Sequence, residues 1–114
     1  MRYDTAGDWE AFVGCLRVLV SRVGDVKMEF ILAVHELVEA FICNQQGISQ
    51  ANVDAWDMFY ESQRKPGDDS EPGEHKRCPY RKAHLAALRV EMALAVELGV
   101  DWTKYEKKLN SLFK

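Results

Sequence analysis

Two segments of this sequence carry a histidine and a glutamate at spacings that could serve a metal ion. The first is HELVE, in which His35 and Glu39 lie one helical turn apart with Glu36 beside them. The second holds His84 and Glu91, two helical turns apart. Neutral imidazoles and carboxylates are the donors that zinc, iron and manganese take at sites of three or four ligands. The chemistry this points to is metal-assisted hydrolysis. His35, Glu39 and His84 are the candidate ligands, and Asp57, on an intervening segment, is a candidate further oxygen ligand. The implied cofactor is a divalent ion, zinc first, with manganese, iron or magnesium as alternatives. Glu36 points about 100° round the helix from His35, so it reaches the rim of such a site and is the candidate general base on a water held there. Glu91 is expected to stand behind a ligand and orient it.

These residues need elements that bring them together. Asp25 to Asn44, DVKMEFILAVHELVEAFICN, reads as one long helix that is apolar nearly all the way round, and such a helix belongs inside a domain. His35 and Glu39 share a stripe with Met28, Ile31, Leu32 and Ile42, where an unpaired charge would be costly. Alone, the pair could simply hydrogen-bond to each other or to an arginine. The second helix, Pro79 to Leu98, repeats the pattern: His84, Leu88, Glu91, Ala95 and Leu98 fall on one stripe. Two such helices facing each other favour one shared polar site.

The remaining text supplies the frame. Gly24-Asp25 breaks the chain and caps the central helix, and Gly47 offers it a stop. Ser49 caps a helix from Gln50 to Glu61 with Val53, Trp56 and Tyr60 on its core face. Gly99 closes the Pro79 helix, and Asp101 caps a last one, Trp102 to Phe113, with an inward stripe of Trp102, Tyr105, Leu109 and Leu112. Cys15 to Val20 is a short aliphatic run of strand type. Trp9 to Phe12 is a second strand joined to it by Val13-Gly14, and a continuous helix over Trp9 to Val20 is the competing reading. The expected fold class is α+β, mostly α: a short N-terminal β-ribbon packed on about four helices around a central buried helix, with an all-α bundle as the alternative. The chain is expected to be one domain, 1–114. Within it, 62–78, SQRKPGDDSEPGEHKRC, has no aliphatic residue and two Pro-Gly dipeptides, so it is expected to be an exposed, mobile loop.

Composition narrows the classes further. A net charge of −3 provides no strong positive field for nucleic acid. No apolar run approaches the ~20 residues of a membrane span, and MRYDTAGDWE lacks the apolar core of a signal peptide, so a cytoplasmic protein is expected. Three widely spaced cysteines make no disulfide framework and no CxxC pair. Cys15 and Cys43 read as small core residues, and Cys78, before Pro79, as an exposed thiol with a remote chance of a catalytic role.

Three resemblances add to this reading. His35-Glu36-Leu37-Val38-Glu39 resembles the HExxH helix of zincin-type metallopeptidases, with Glu39 where the second histidine would stand. A broader pattern runs through Gly7-Asp8-Trp9, LRVLVSR, HELVEAFIC, GIS, Val53 and Asp57, then Pro79-Tyr80, His84, Glu91 and LGVDW. It is similar to small uncharacterised proteins of phages and prophages. That resemblance implies a phage or prophage origin, the cytoplasm of a bacterial host, and His35, Glu36, Glu39, Asp57, His84 and Glu91 as the site. More remotely, Glu36 and Glu39 followed by Asp54 and Asp57 resemble the magnesium-binding carboxylates of the all-α nucleotide pyrophosphatases related to MazG. The leading expectation is a metal-dependent hydrolase of a peptide, amide or phosphate bond. The alternatives are a non-enzymatic phage protein that binds and inhibits a host or defence factor, its polar or metal cluster only fixing the fold, and a MazG-like pyrophosphatase.

Overall fold

In the computed structural model, the described residues are 6–112 apart from Val13, with the side chain of Phe12 also outside the description. The N-terminal run forms a hairpin, not a helix: β1 (Gly7–Phe12) pairs antiparallel with β2 (Cys15–Val20), from Gly7 opposite Val20 to Phe12 opposite Cys15. Four helices follow: α1 (Val26–Gln45), α2 (Gln50–Ser62), α3 (Arg81–Leu98) and α4 (Trp102–Ser111), with a single 3-10 turn at Pro72–Glu74 before α3. The class is α+β, mostly α.

The helix ends follow local chemistry. Asp25, extended at φ −140°, accepts hydrogen bonds from the amides of Lys27 and Met28 at 2.9 and 3.1 Å and so starts α1. Ser49 and Asp101 do the same for α2 and α4. Gly99 stops α3 in the left-handed region, φ 68°. The helix expected to begin at Pro79 starts at Arg81, after Tyr80.

α1 and α3 run antiparallel and in register, and this pair organises the core. At one end Ile31 meets Ala95 and Tyr105, flanked by Met28, Leu94, Leu98, Trp102 and Leu109. At the other, Ala40 and Cys43 meet Ala83, together with Trp9, Val53, Cys78 and Tyr80. Ala83 and Ala87 are fully buried, and their small side chains permit close approach of the two helices. Lys27 Nζ donates to the carbonyl of Leu98 at 3.2 Å, tying the start of α1 to the end of α3. The hairpin is held at its edge by Gln50, whose amide donates to the Trp9 carbonyl while its oxygen accepts from the Ala11 amide. That pairing also docks α2.

Four further expectations are corrected. Cys15 is exposed, because it lies in the exposed tip of the hairpin, residues 14–17, and not in the core. Cys78 is buried, because the chain turns inward before α3 and the residue joins the Trp9–Val53 cluster. α1 is not covered all round: Val26, Phe30, Leu37 and Phe41, which share one face, are 78%, 52%, 50% and 60% exposed. The segment 62–78 also divides. Residues 62–70 are exposed except for Arg64, whereas Pro72 accepts a hydrogen bond from Trp56 Nε1 at 2.9 Å and Gly73 is buried. Among the described residues no helix is long and apolar enough to cross a membrane.

Candidate metal centre

Between the two apolar clusters lies a polar layer: His35, Glu36, Glu39, His84 and Glu91 are all buried. The helical repeat of α1 places His35 and Glu39 one above the other, and the antiparallel register of α3 brings His84 opposite Glu39 and Glu91 opposite His35. Glu39 Oε2 receives both rings, His35 Nε2 at 3.2 Å and His84 Nδ1 at 3.1 Å. The rings meet edge to face with centroids 5.0 Å apart. One ligand atom from each of His35, Glu39 and His84 lies within 4.8 Å of the others, so this buried group could hold a metal ion. Two of the donor separations, 3.1 and 3.2 Å, approach the edge of a tetrahedron of bonds about 2.0–2.1 Å long, roughly 3.3 Å.

Each imidazole has its other nitrogen turned to a second carboxylate. His35 Nδ1 is 2.7 Å from Glu91 Oε1, and Glu91 Oε2 in turn accepts a short hydrogen bond from the Tyr105 hydroxyl. His84 Nε2 is buried and 3.2 Å from Glu71 Oε2, though it is not aligned with it for a hydrogen bond. Carboxylates in these positions fix which ring nitrogen carries a proton and turn the other nitrogen's lone pair toward the centre. The Glu71 side chain is 53% exposed, so water screens its hold on His84 more than it screens the buried Glu91.

The charge balance without an ion follows from these contacts. Burial would lower both imidazoles, but the neighbouring carboxylates outweigh it. Glu39 and Glu91 raise His35 well above its ordinary value, and Glu39 and Glu71 raise His84 to about 9. Burial would raise Glu39, yet the two histidines hold it at about 2. Both rings are therefore imidazolium at neutral pH, clamped on a carboxylate. A divalent ion that displaced one proton from each ring would leave the charge of the layer unchanged.

Glu36 faces the hairpin. Burial, and next the charge of Glu39, raises its carboxyl well above the ordinary carboxylate value. A Cβ added to Gly7 would lie 2.7 Å from Glu36 Oε1, so only glycine allows β1 to close over this carboxyl. A Cβ on Gly73 would lie 2.3 Å from Cγ of His84, so that glycine lets the 3-10 turn press against the ring. A cleft of about 90 Å³ opens between these elements, lined by His35, Glu36, Glu39, His84, Asp8, Asp57, Glu71 and Tyr80 among others.

Of the expected residues, His35, Glu39 and His84 come together, Glu91 stands behind His35, and Glu36 borders the same cleft. Asp57 lines the cleft but is not one of the three grouped donors, and its Oδ1 accepts a short hydrogen bond from the Tyr80 hydroxyl. Among the described residues the carboxylates of Glu36, Glu39, Asp54 and Asp57 form no common group of the MazG kind. Cys78 offers no nucleophile, since burial pushes its thiol up to about 12. Sequence reasoning missed Glu71, Gly73, Asp8 and Tyr105. Glu71 and Gly73 flank Pro72 in a segment without aliphatic residues, and only the tertiary contact with Trp56 turns them inward. Tyr105 was legible as a core residue, but not as the hydroxyl that meets Glu91. Comparison with known protein families, with curated proteins and with solved structures found no match, so the reading of this site rests on its geometry.

Proposed function

We propose that this protein is a divalent-metal-dependent hydrolase whose ion, zinc in the first instance, is held by His35, Glu39 and His84. The observation that carries the proposal is the bracketed carboxylate: Glu39 Oε2 lies 3.1–3.2 Å from one nitrogen of each histidine. The opposite nitrogens face Glu91 and Glu71. Two imidazoles and one carboxylate leave a tetrahedral ion one open position. The ion would supply Lewis acidity, polarising the scissile carbonyl and lowering the pKa of a water.

The chain's own groups do the rest. Glu36, on the cleft wall, takes the proton of the attacking water and passes it to the leaving amine as the carbon–nitrogen bond breaks. Tyr80 and Asp57, hydrogen-bonded to each other, both line the cleft and would position substrate. The lining argues for a peptide or amide over a phosphate ester. Among the described residues it includes Asp8, Glu36, Glu39, Asp57 and Glu71 and no lysine or arginine, a poor setting for an anionic substrate.

The test is paired. Zinc-loaded wild type and Glu36→Gln are assayed on a pool of fluorogenic peptides and amides, with zinc content measured alongside. The proposal expects equal zinc in both proteins and hydrolysis lowered at least about 100-fold in the variant. Equal hydrolysis by both removes Glu36 from its role, and no turnover by zinc-loaded wild type counts against an enzyme. The alternative, a phage-type binding protein with a structural metal, draws on one observation, the open apolar face of α1.

A further inference from the structure

The sequence of α1 is that of a helix covered on every side, yet the folded chain covers only part of it. The polar layer and the core use Ile31, Leu32, His35, Glu36, Glu39, Ala40 and Cys43. The opposite face carries Val26, Phe30, Ala33, Val34, Leu37 and Phe41, with no charged residue among them. Fractional exposures of 78%, 52%, 50% and 60% for Val26, Phe30, Leu37 and Phe41 leave on the order of 400 Å² of apolar side chain in water. Roughly 300–600 Å² is the size of the largest apolar patch on a typical monomer, and such patches are often functional.

We propose that this face is the interface of a homodimer, in which α1 of one copy crosses α1 of the other antiparallel about a two-fold axis beside Ala33 and Val34. The argument is the symmetry of the face. A two-fold interface must be self-complementary, so that residue i meets j and j meets i. Reversal about the point between Ala33 and Val34 sets Val26 against Phe41, Phe30 against Leu37 and Ala33 against Val34. The smallest side chains fall at the crossing, where two helix axes come closest. The larger ones fall on either side and pair large with smaller.

Area and charge agree with this occupant. Two such patches, with the half-buried Val38 at their margins, bury at most about 1,000 Å² in all. That is the size of weak, transient complexes, so dimer and monomer exchange with concentration. A membrane surface is disfavoured, since interfacial helices carry lysine and arginine along their polar edge. Here Lys27 is the one lysine or arginine of the helix, and the chain has a net charge of −3.

Sedimentation of the full chain over a concentration series reads the state directly. The expected result is a mass rising from 13.1 kDa toward twice that value, with Leu37→Glu and, separately, Phe30→Glu staying monomeric at every concentration with unchanged circular dichroism. Cysteine cross-linking then reads the geometry, in a Cys15→Ser background because Cys15 is exposed. Val34→Cys should cross-link to its own copy. Val26→Cys should not, since antiparallel helices hold the two positions roughly 22 Å apart, but it should cross-link to Phe41→Cys in a mixture. A wild type that stays monomeric at all concentrations overturns the proposal. So does a dimer indifferent to both glutamate variants, or a Val26→Cys self-cross-link. Monomeric wild type that binds lipid vesicles, or a different protein, through these residues would assign the face to that occupant instead.

Discussion

Zinc binding to this protein should be coupled to the release of two protons, and the coupling can be worked out from the polar layer. Without the ion, His84 titrates near 9 and His35 well above 6.5, because each ring is clamped between two carboxylates. At pH 6 to 7.5 both inner nitrogens therefore carry protons, which must leave before their lone pairs can bind a metal. With two protons displaced per ion, the apparent affinity rises about 100-fold per pH unit, or about 2.7 kcal/mol. The slope falls as the pH passes the imidazole values, near 9 for His84. The perturbation is a shift from pH 6.0 to 7.0 at constant ionic strength. The assay is isothermal titration calorimetry of the metal-free chain with zinc in buffers of different ionisation enthalpy, which counts protons independently of the affinity. A proton count near two with a matching slope is expected. A count near zero would mean that the histidines are already neutral, or that zinc binds elsewhere, and would refute the charge-exchange reasoning.

Replacing the buried Glu91 by Gln keeps an acceptor for His35 but removes its charge, and should weaken zinc binding about 10–100-fold while leaving the helices intact by circular dichroism. Gly73→Ala puts a Cβ 2.3 Å from the His84 ring. It should displace that ring and lower zinc affinity about 10-fold or more, measured by competition with a chromophoric chelator. The metal-free protein should also lose stability with rising pH. His84 is raised from 6.5 to about 9 in the folded state, so its stabilisation is complete below about pH 6.5 and disappears as the pH rises through 9. Thermal unfolding of the metal-free chain between pH 6.5 and 9 should show a falling Tm, and zinc should oppose the fall. A flat profile would contradict the raised value for His84.

The elements were legible where local chemistry fixes them. Asp25, Ser49, Asp101 and Gly99 mark helix ends that the structure keeps, and the aliphatic run Cys15 to Val20 between Gly14 and Ser21 is the strand it resembled. The centre was legible because His35, Glu39, His84 and Glu91 each interrupt an apolar stripe, and two interrupted stripes have few ways to pack. Glu71 was not, because its role comes from a loop folding back through the Trp56–Pro72 hydrogen bond, and no period records that contact. Asp57 had the right spacing for a ligand, but α2 presents it to Tyr80. The open face of α1 escaped for the opposite reason. Its residues say buried, and the described residues leave Val26, Phe30, Leu37 and Phe41 exposed.

Metal content is the most direct test of the central claim. Wild type and His35→Ala, each expressed without chelator, equilibrated with a small excess of zinc and passed through gel filtration, are compared by plasma mass spectrometry. The account predicts one tightly held zinc per wild-type chain and almost none in His35→Ala, the variant staying helical by circular dichroism. Equal zinc in the two proteins, or none in either, would contradict a centre built on His35, Glu39 and His84.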